Sequence, residues 1–105
     1  MWWSKPKDPK LYQPPQGIPS PSKDRELVLY KFDSCPYCVR VFRVLEELSI
    51  ELDVKDTRRE PGVRMELIQL CGTSQVPCLR IDGVPLLESA DIEDWLRAYA
   101  IRDIA

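Results

Sequence analysis

Six residues, Asp33-Ser34-Cys35-Pro36-Tyr37-Cys38, stand between an apolar run and a helical pattern, and this junction limits what the chain can fold into. Leu27-Val28-Leu29-Tyr30 leads in with the composition of a strand. Behind it, Cys38, Val41, Phe42, Leu45 and Leu48 recur at three- and four-residue steps, the period of a helix. Cys35 therefore sits where a strand ends and a helix begins. Pro36 suits the first helical position, where its missing N–H would have no partner anyway. A helix start presents unpaired N–H groups and about half a positive charge, and both favour a thiolate over a thiol. Cys38 lies one turn further on, close enough to close a disulfide, and on the apolar side of the helix. A Cys-x-x-Cys at such a junction is a redox arrangement. The alternative of two buried cysteines that merely lie close leaves Pro36 and the flanking pattern without a reason.

The 105 residues suffice for one core and one domain. Fifteen basic and 17 acidic side chains leave a net charge of -2, with no basic cluster of the kind nucleic-acid binding requires. No apolar run is long enough to span a bilayer, and the N-terminus has no apolar signal core. Neither a nucleic-acid nor a membrane partner is expected. A reducing, cytoplasmic setting is expected, where a disulfide is more often catalytic than structural. The chain has no histidine, which removes the usual imidazole base and the commonest zinc ligand.

Residues 1–24 read as a proline-rich N-terminal tail, interrupted by Pro6, Pro9, Pro14, Pro15, Pro19 and Pro21, and contributing little to the domain at 25–105. Trp2 and Trp3 could dock on the domain or reach a partner; a solvated terminus is the simpler reading. A first strand spans Glu26 to Phe32 and a first helix Pro36 to Ser49, with Arg40, Arg43, Glu46 and Glu47 turned to solvent. A second strand covers Ile50 to Lys55, and the connection predicts a right-handed parallel βαβ unit. A second helix runs from Glu60 to Cys71, with Pro61 in its first turn and Gly72 as its cap. Val76 to Ile81 forms a third strand, and Asp82-Gly83 predicts a hairpin returning through Val84 to Leu87. Ser89 offers an N-cap to a last helix whose buried stripe is Ile92, Trp95, Leu96 and Tyr99.

That α/β order, β-α-β-α-β-β-α with a four-stranded mixed sheet flanked by helices, resembles the thioredoxin fold. Cys35-Pro36-Tyr37-Cys38 is similar to the dithiol active site of glutaredoxins. Gln75-Val76-Pro77 looks like that family's Thr-Val-Pro position, whose proline is cis and packs beside the active site. Glu88-Ser89-Ala90-Asp91 looks like the third glutathione-contact segment, which reads Glu/Gln-Ser in glutathione transferases and transferase-like glutaredoxins. The resemblance spans residues 26 to 101. Many glutaredoxins carry a lysine three residues before the first cysteine; here that position is Phe32, with Lys31 one earlier.

The resemblance implies a glutathione-dependent thiol–disulfide oxidoreductase, monomeric, acting on glutathionylated or disulfide-bearing proteins. Cys35 is then the nucleophile and Cys38 the resolving thiol. Glutathione is the co-substrate, and no metal is expected. Val76 would pair with the extended cysteinyl backbone as an added strand does. Glu88, Ser89 and Ala90, at a helix start, would hold the γ-glutamyl carboxylate. Pro77 and Tyr37 complete the set, Tyr37 at the rim, and Lys31, Arg64 or Arg80 would meet the glycine carboxylate. Cys71 and Cys78 are either small buried apolar residues or extra redox thiols. The spacing C-x2-C, 32 residues, C-x6-C is not that of a usual zinc ribbon. Two rivals keep the fold: a non-catalytic glutathione-binding or iron–sulfur-cluster-carrying module, and a disulfide reductase served by thioredoxin reductase.

The position of Cys35 predicts that it alkylates much faster at pH 6 than Cys38, Cys71 or Cys78. Peptide mapping after brief iodoacetamide treatment checks this; first labelling at Cys71 or Cys78 would contradict it.

Overall fold

The computed structural model describes residues 8–104, with side chains to residue 101. Pro6, Trp2 and Trp3 lie outside the described residues. The elements are β1 (Leu27–Lys31), α1 (Pro36–Glu47), β2 (Asp53–Asp56), α2 (Val63–Cys71), β3 (Cys78–Ile81), β4 (Val84–Leu86) and α3 (Ser89–Ile104), preceded by a 3-10 turn at Pro9–Leu11. The sheet order is β2-β1-β3-β4. β1 runs parallel to β2 and antiparallel to β3, and β3 pairs antiparallel with β4. This is the thioredoxin-like order expected from the sequence. No helix among the described residues is long and apolar enough to cross a membrane.

Every residue from Leu27 to Tyr30 is buried because both faces of the sheet are covered. Leu27 and Leu29 join Leu79 and Ile81 under α1 and α3, against Val41, Val44, Leu45, Ile92, Trp95 and Leu96. Val28 and Tyr30 point the other way and pack with Cys78, Val63 and Leu67 under α2, together with Cys35 and Cys38. Trp95 stacks on Tyr99 at 5.5 Å between ring centroids.

Several boundaries differ from the sequence reading, each for a local reason. β2 begins at Asp53, not Ile50, because α1 ends in a wrapped cap. Ser49 takes a left-handed conformation (φ 54), its N–H bonds Glu46 O at 3.2 Å, and the Ile50 N–H bonds Leu45 O at 2.9 Å. Ile50 and Leu52 are thereby drawn onto the core before the ladder starts. α2 begins at Val63, after Gly62 in a left-handed conformation, rather than at Glu60. The preceding residues close a turn of their own: the Asp56 carboxylate accepts from the N–H groups of Arg58 (2.8 Å) and Arg59 (2.9 Å), and Glu60 accepts from Asp56 N–H at 2.6 Å. β3 begins at Cys78, two residues later than expected. Ser89 is the first helical residue rather than the cap; Glu88 (φ 71) precedes it and accepts from Ile92 N–H at 3.0 Å.

The largest correction concerns the N-terminal segment. Its described part packs on the domain, with Tyr12 and Ile18 against the α1–α3 core and Pro21 buried. The indole N–H of the buried Trp95 donates to Pro19 O at 2.8 Å. Arg25 bonds Ser20 O at 2.9 Å and the Asp82 carboxylate at 3.0 Å, tying the segment to the β3–β4 turn. Proline removes donors but leaves carbonyls, so a proline-rich chain can still satisfy a buried N–H.

Deleting residues 1–21 should therefore destabilise the protein. The lost indole bond and uncovered apolar surface are worth about 2–3 kcal/mol together, or a melting point lower by roughly 10–20 °C. Thermal denaturation of the truncated chain checks this, and an unchanged melting point would show that the segment carries no stability.

Candidate active site

The turn Phe32-Asp33-Ser34 carries the chain from β1 into α1, with Cys35 N–H bonding Phe32 O at 3.3 Å. Cys35 is the N-cap of α1 in extended conformation, and its sulfur accepts the Cys38 N–H at 3.4 Å. A cap normally offers an oxygen to this orphan donor; here a sulfur takes that place. Cys35 Sγ also lies 3.8 Å from Val76 O. Both thiols are free, Cys35 5% exposed and Cys38 1% exposed. Burial pushes the Cys38 thiol up to about 12, and its hydrogen bond with Cys35 adds to this. Cys38 thus holds its proton while its backbone N–H faces the Cys35 sulfur.

Beside this sulfur lies a cleft of about 370 Å³ lined by Tyr37, Gln75, Val76, Pro77, Glu88 and Ser89. It brings together the α1 start, the segment before β3 and the α3 start. The Val76-Pro77 bond is cis, as the resemblance implied, and both residues are buried. Tyr37 is 58% exposed at the rim. Gln75 Nε2 donates to Glu88 Oε1 at 3.4 Å between the two segments. Five of the six residues expected to bind substrate line the cleft; Ala90 is exposed beside it and does not. Gln75, the first residue of the Gln75-Val76-Pro77 segment, lines the cleft as well.

The three expected cations are placed apart. Lys31 pairs with Asp33 at 2.6 Å and Asp56 at 3.1 Å, close to the turn before Cys35. Arg80 bonds the Tyr30 hydroxyl at 2.8 Å on the α2 face, where Tyr30 donates to Glu66 and Lys55 pairs with Glu66 at 2.9 Å. Burial, and then the Glu66 bond, push Tyr30 up to about 12, so it is a neutral donor. Arg64 is exposed on α2.

Sequence reasoning missed Arg58 and Arg59. Arg58 Nη1 donates to Ser34 Oγ at 3.2 Å, and its guanidinium lies 3.7 Å from the Phe32 ring centroid. Arg59 pairs with Asp33 at 2.8 Å. The signal was present: β1 and β2 are parallel, with Lys31 opposite Asp56, so the loops that follow them meet at one sheet edge. Burial draws the Asp56 carboxyl upward, but the N–H groups of Arg58 and Arg59 and the Lys31 ammonium outweigh it and hold it below the ordinary range. Among the described residues, no three histidine, cysteine or acidic side chains are grouped to hold a metal ion.

The fold agrees with comparisons to known proteins. The family model described as glutaredoxin matches residues 27–86, more than half of the chain. Oxidised glutaredoxin 2 of Chlamydomonas reinhardtii is similar in structure, with 19% identity, TM-score 0.57, and coverage of 74% of this chain and 78% of that one. The buckwheat glutaredoxin–glutathione complex has 21% identity, TM-score 0.58, and coverage of 73% and 74%. An epsilon-class glutathione S-transferase of the housefly, Musca domestica, has 25% identity and TM-score 0.58, over 68% of this chain but 34% of the transferase. The search of curated proteins returned no match. With the Cys35-Pro36-Tyr37-Cys38 motif at the start of α1, the cleft beside it and the family match across β1 to β4, this chain belongs to the glutaredoxin family of thiol–disulfide oxidoreductases.

Proposed function

We propose that this protein is a glutathione-dependent oxidoreductase that reduces glutathione mixed disulfides and protein disulfides through Cys35 and Cys38. The observation that carries the reading is the 3.8 Å approach of Cys35 Sγ to Val76 O, at the wall of a cleft whose other side is the α3 start. A tripeptide disulfide laid along Val76 brings its sulfur to Cys35. Its γ-glutamyl carboxylate then reaches Ser89 and the free N–H groups of the first turn of α3. The buckwheat relative, whose structure holds glutathione, has the same fold. Four free thiols suit a reducing compartment such as the cytoplasm.

In the first step the Cys35 thiolate attacks the glutathione sulfur of a mixed disulfide. The old S–S bond breaks, the substrate leaves as a thiolate and takes up a proton, and Cys35 carries glutathione. A second glutathione thiolate then attacks that sulfur, giving oxidised glutathione and free Cys35. With protein disulfides, Cys38 releases its proton and attacks Cys35 Sγ, expelling the substrate thiol. Because Cys38 holds its proton tightly, this resolving step speeds up as pH rises. Arg58, held by the Ser34 hydroxyl and the Phe32 ring while Lys31 and Arg59 pair with Asp33, is assigned to the glycine carboxylate.

Cys35→Ser should abolish reduction of glutathione mixed disulfides. Cys38→Ser should retain it while losing reduction of protein disulfides that need both thiols. A Cys38→Ser protein inactive on glutathione mixed disulfides would remove the monothiol route.

Arg58→Ala should raise KM for glutathione mixed disulfides roughly five-fold with kcat unchanged, the size of an exposed charge contact of about 1 kcal/mol. Steady-state kinetics on a glutathionylated peptide checks this; an unchanged KM would take Arg58 out of the site.

A further inference from the structure

Asp56, the last residue of β2, is a buried carboxylate that takes no part in thiol–disulfide exchange. Each of its polar groups has a partner. Oδ1 accepts from the backbone N–H groups of Arg58 (2.8 Å) and Arg59 (2.9 Å), and Oδ2 accepts from Lys31 Nζ at 3.1 Å. Its own N–H donates to Glu60 Oε2 at 2.6 Å, and its carbonyl accepts from Glu60 N–H at 3.1 Å. Thr57, also buried, donates its N–H to Lys31 O at 2.9 Å, which carries the contact with β1 one residue past Asp56. The turn is thus clamped to the end of β1 on one side and closed on itself on the other. It presents two arginine side chains to the turn before Cys35. Arg58 meets Ser34 Oγ at 3.2 Å and the Phe32 ring at 3.7 Å, and Arg59 meets Asp33 at 2.8 Å. A buried carboxylate opposes folding unless its oxygens are satisfied, and a turn that only joined β2 to α2 would not need one.

We propose that Asp56 is a positioning residue for substrate binding: by holding the turn at 56–60 it fixes the Arg58 guanidinium where the glycine carboxylate of a glutathione mixed disulfide arrives. The inference rests on the proposed role of Arg58 and deepens it. The tip of Arg58 is held by one neutral hydroxyl and one ring face, at an exposed position. Contacts of that kind are weak, so the place of the guanidinium depends on the backbone that carries it. With Oδ1 removed, the N–H groups of Arg58 and Arg59 lose their shared acceptor, and the long side chain spreads over many rotamers. Substrate binding must then order it again, which weakens the carboxylate contact. The Cys35 sulfur keeps its contact with the Cys38 N–H throughout. Asp56 therefore acts on KM through Arg58 and leaves kcat alone.

A double-mutant cycle in the full chain, read by steady-state kinetics on a glutathionylated peptide, tests this. Asp56→Ala should raise KM about three-fold or more with kcat unchanged, against about five-fold for Arg58→Ala. The double variant should be no worse than Arg58→Ala alone, whereas independent effects would multiply to about 15-fold. Asp56→Asn, whose amide oxygen can still accept both N–H groups, should stay within about two-fold of wild type. Lys31→Met/Asp56→Ala removes the acceptor without leaving an unpaired ammonium, and carries the same expectation where Asp56→Ala does not fold. An unchanged KM in the variants that lack the acceptor, even with a lower melting point, would overturn the proposal. So would multiplied effects in the double variant, or Asp56→Asn as impaired as Asp56→Ala. An unchanged KM in Arg58→Ala would instead overturn the role of Arg58, and this inference with it. A wild-type chain that does not turn over the peptide would remove the glutathione reading and both roles together.

Discussion

The burial of β1 on both faces is the constraint on which the rest of the molecule depends. Four successive residues, Leu27 to Tyr30, have no polar side to offer water, so one layer of helix cannot satisfy the strand. α1 and α3 must cover Leu27 and Leu29, and α2 must cover Val28 and Tyr30. A strand so enclosed takes the middle of the sheet, between a parallel and an antiparallel neighbour. Its parallel neighbour ends at the same edge and delivers Arg58 and Arg59 to the turn before Cys35. Its antiparallel neighbour enters at that edge and delivers Val76 to the Cys35 sulfur.

Electrostatics at the site follows from this meeting of chain ends. The two sulfurs of Cys-x-x-Cys are three residues apart but differ in surroundings. One caps the helix and receives an N–H; the other lies inside the first turn, where burial makes a negative charge costly. The turn that carries the capping sulfur is held by opposite charges from another loop. Asp33 meets Lys31 and Arg59, while Asp56 gathers Lys31 and two backbone N–H groups. The cations around the sulfur are thus partly neutralised, and Arg58, held by a hydroxyl and a ring face, keeps its charge available.

The N-terminal segment shows how prolines can belong to a fold without joining its ladders. Fixed φ angles reduce the entropy lost on docking, and each proline still offers a carbonyl. Trp95 lies at the centre of α3 with its ring in the core, and its N–H needs an acceptor that the sheet does not supply. Pro19 O provides it. With Tyr12 and Ile18 added, the segment closes the side of the domain where α3 would otherwise face water.

Local pattern alone determined the order of elements and the place of the Cys-x-x-Cys at the start of α1. The apolar run before Cys35, the three- and four-residue steps after it, Asp82-Gly83 and the stripe through Ile92, Trp95, Leu96 and Tyr99 are all short-range signals. Each depends on residues within a turn or two of one another. The motif segments Gln75-Val76-Pro77 and Glu88-Ser89 were legible as well, through their likeness to a family. Tertiary structure alone decided what packs on what. Arg58 reaches Ser34, and Pro19 accepts from Trp95, because distant segments converge at one sheet edge or one helix face. The same holds for the element ends at Ser49, Glu60 and Glu88, where caps and turns outweighed the periodic pattern. A composition rich in proline reads as uncommitted chain until a buried donor such as the Trp95 N–H is seen to require its carbonyl.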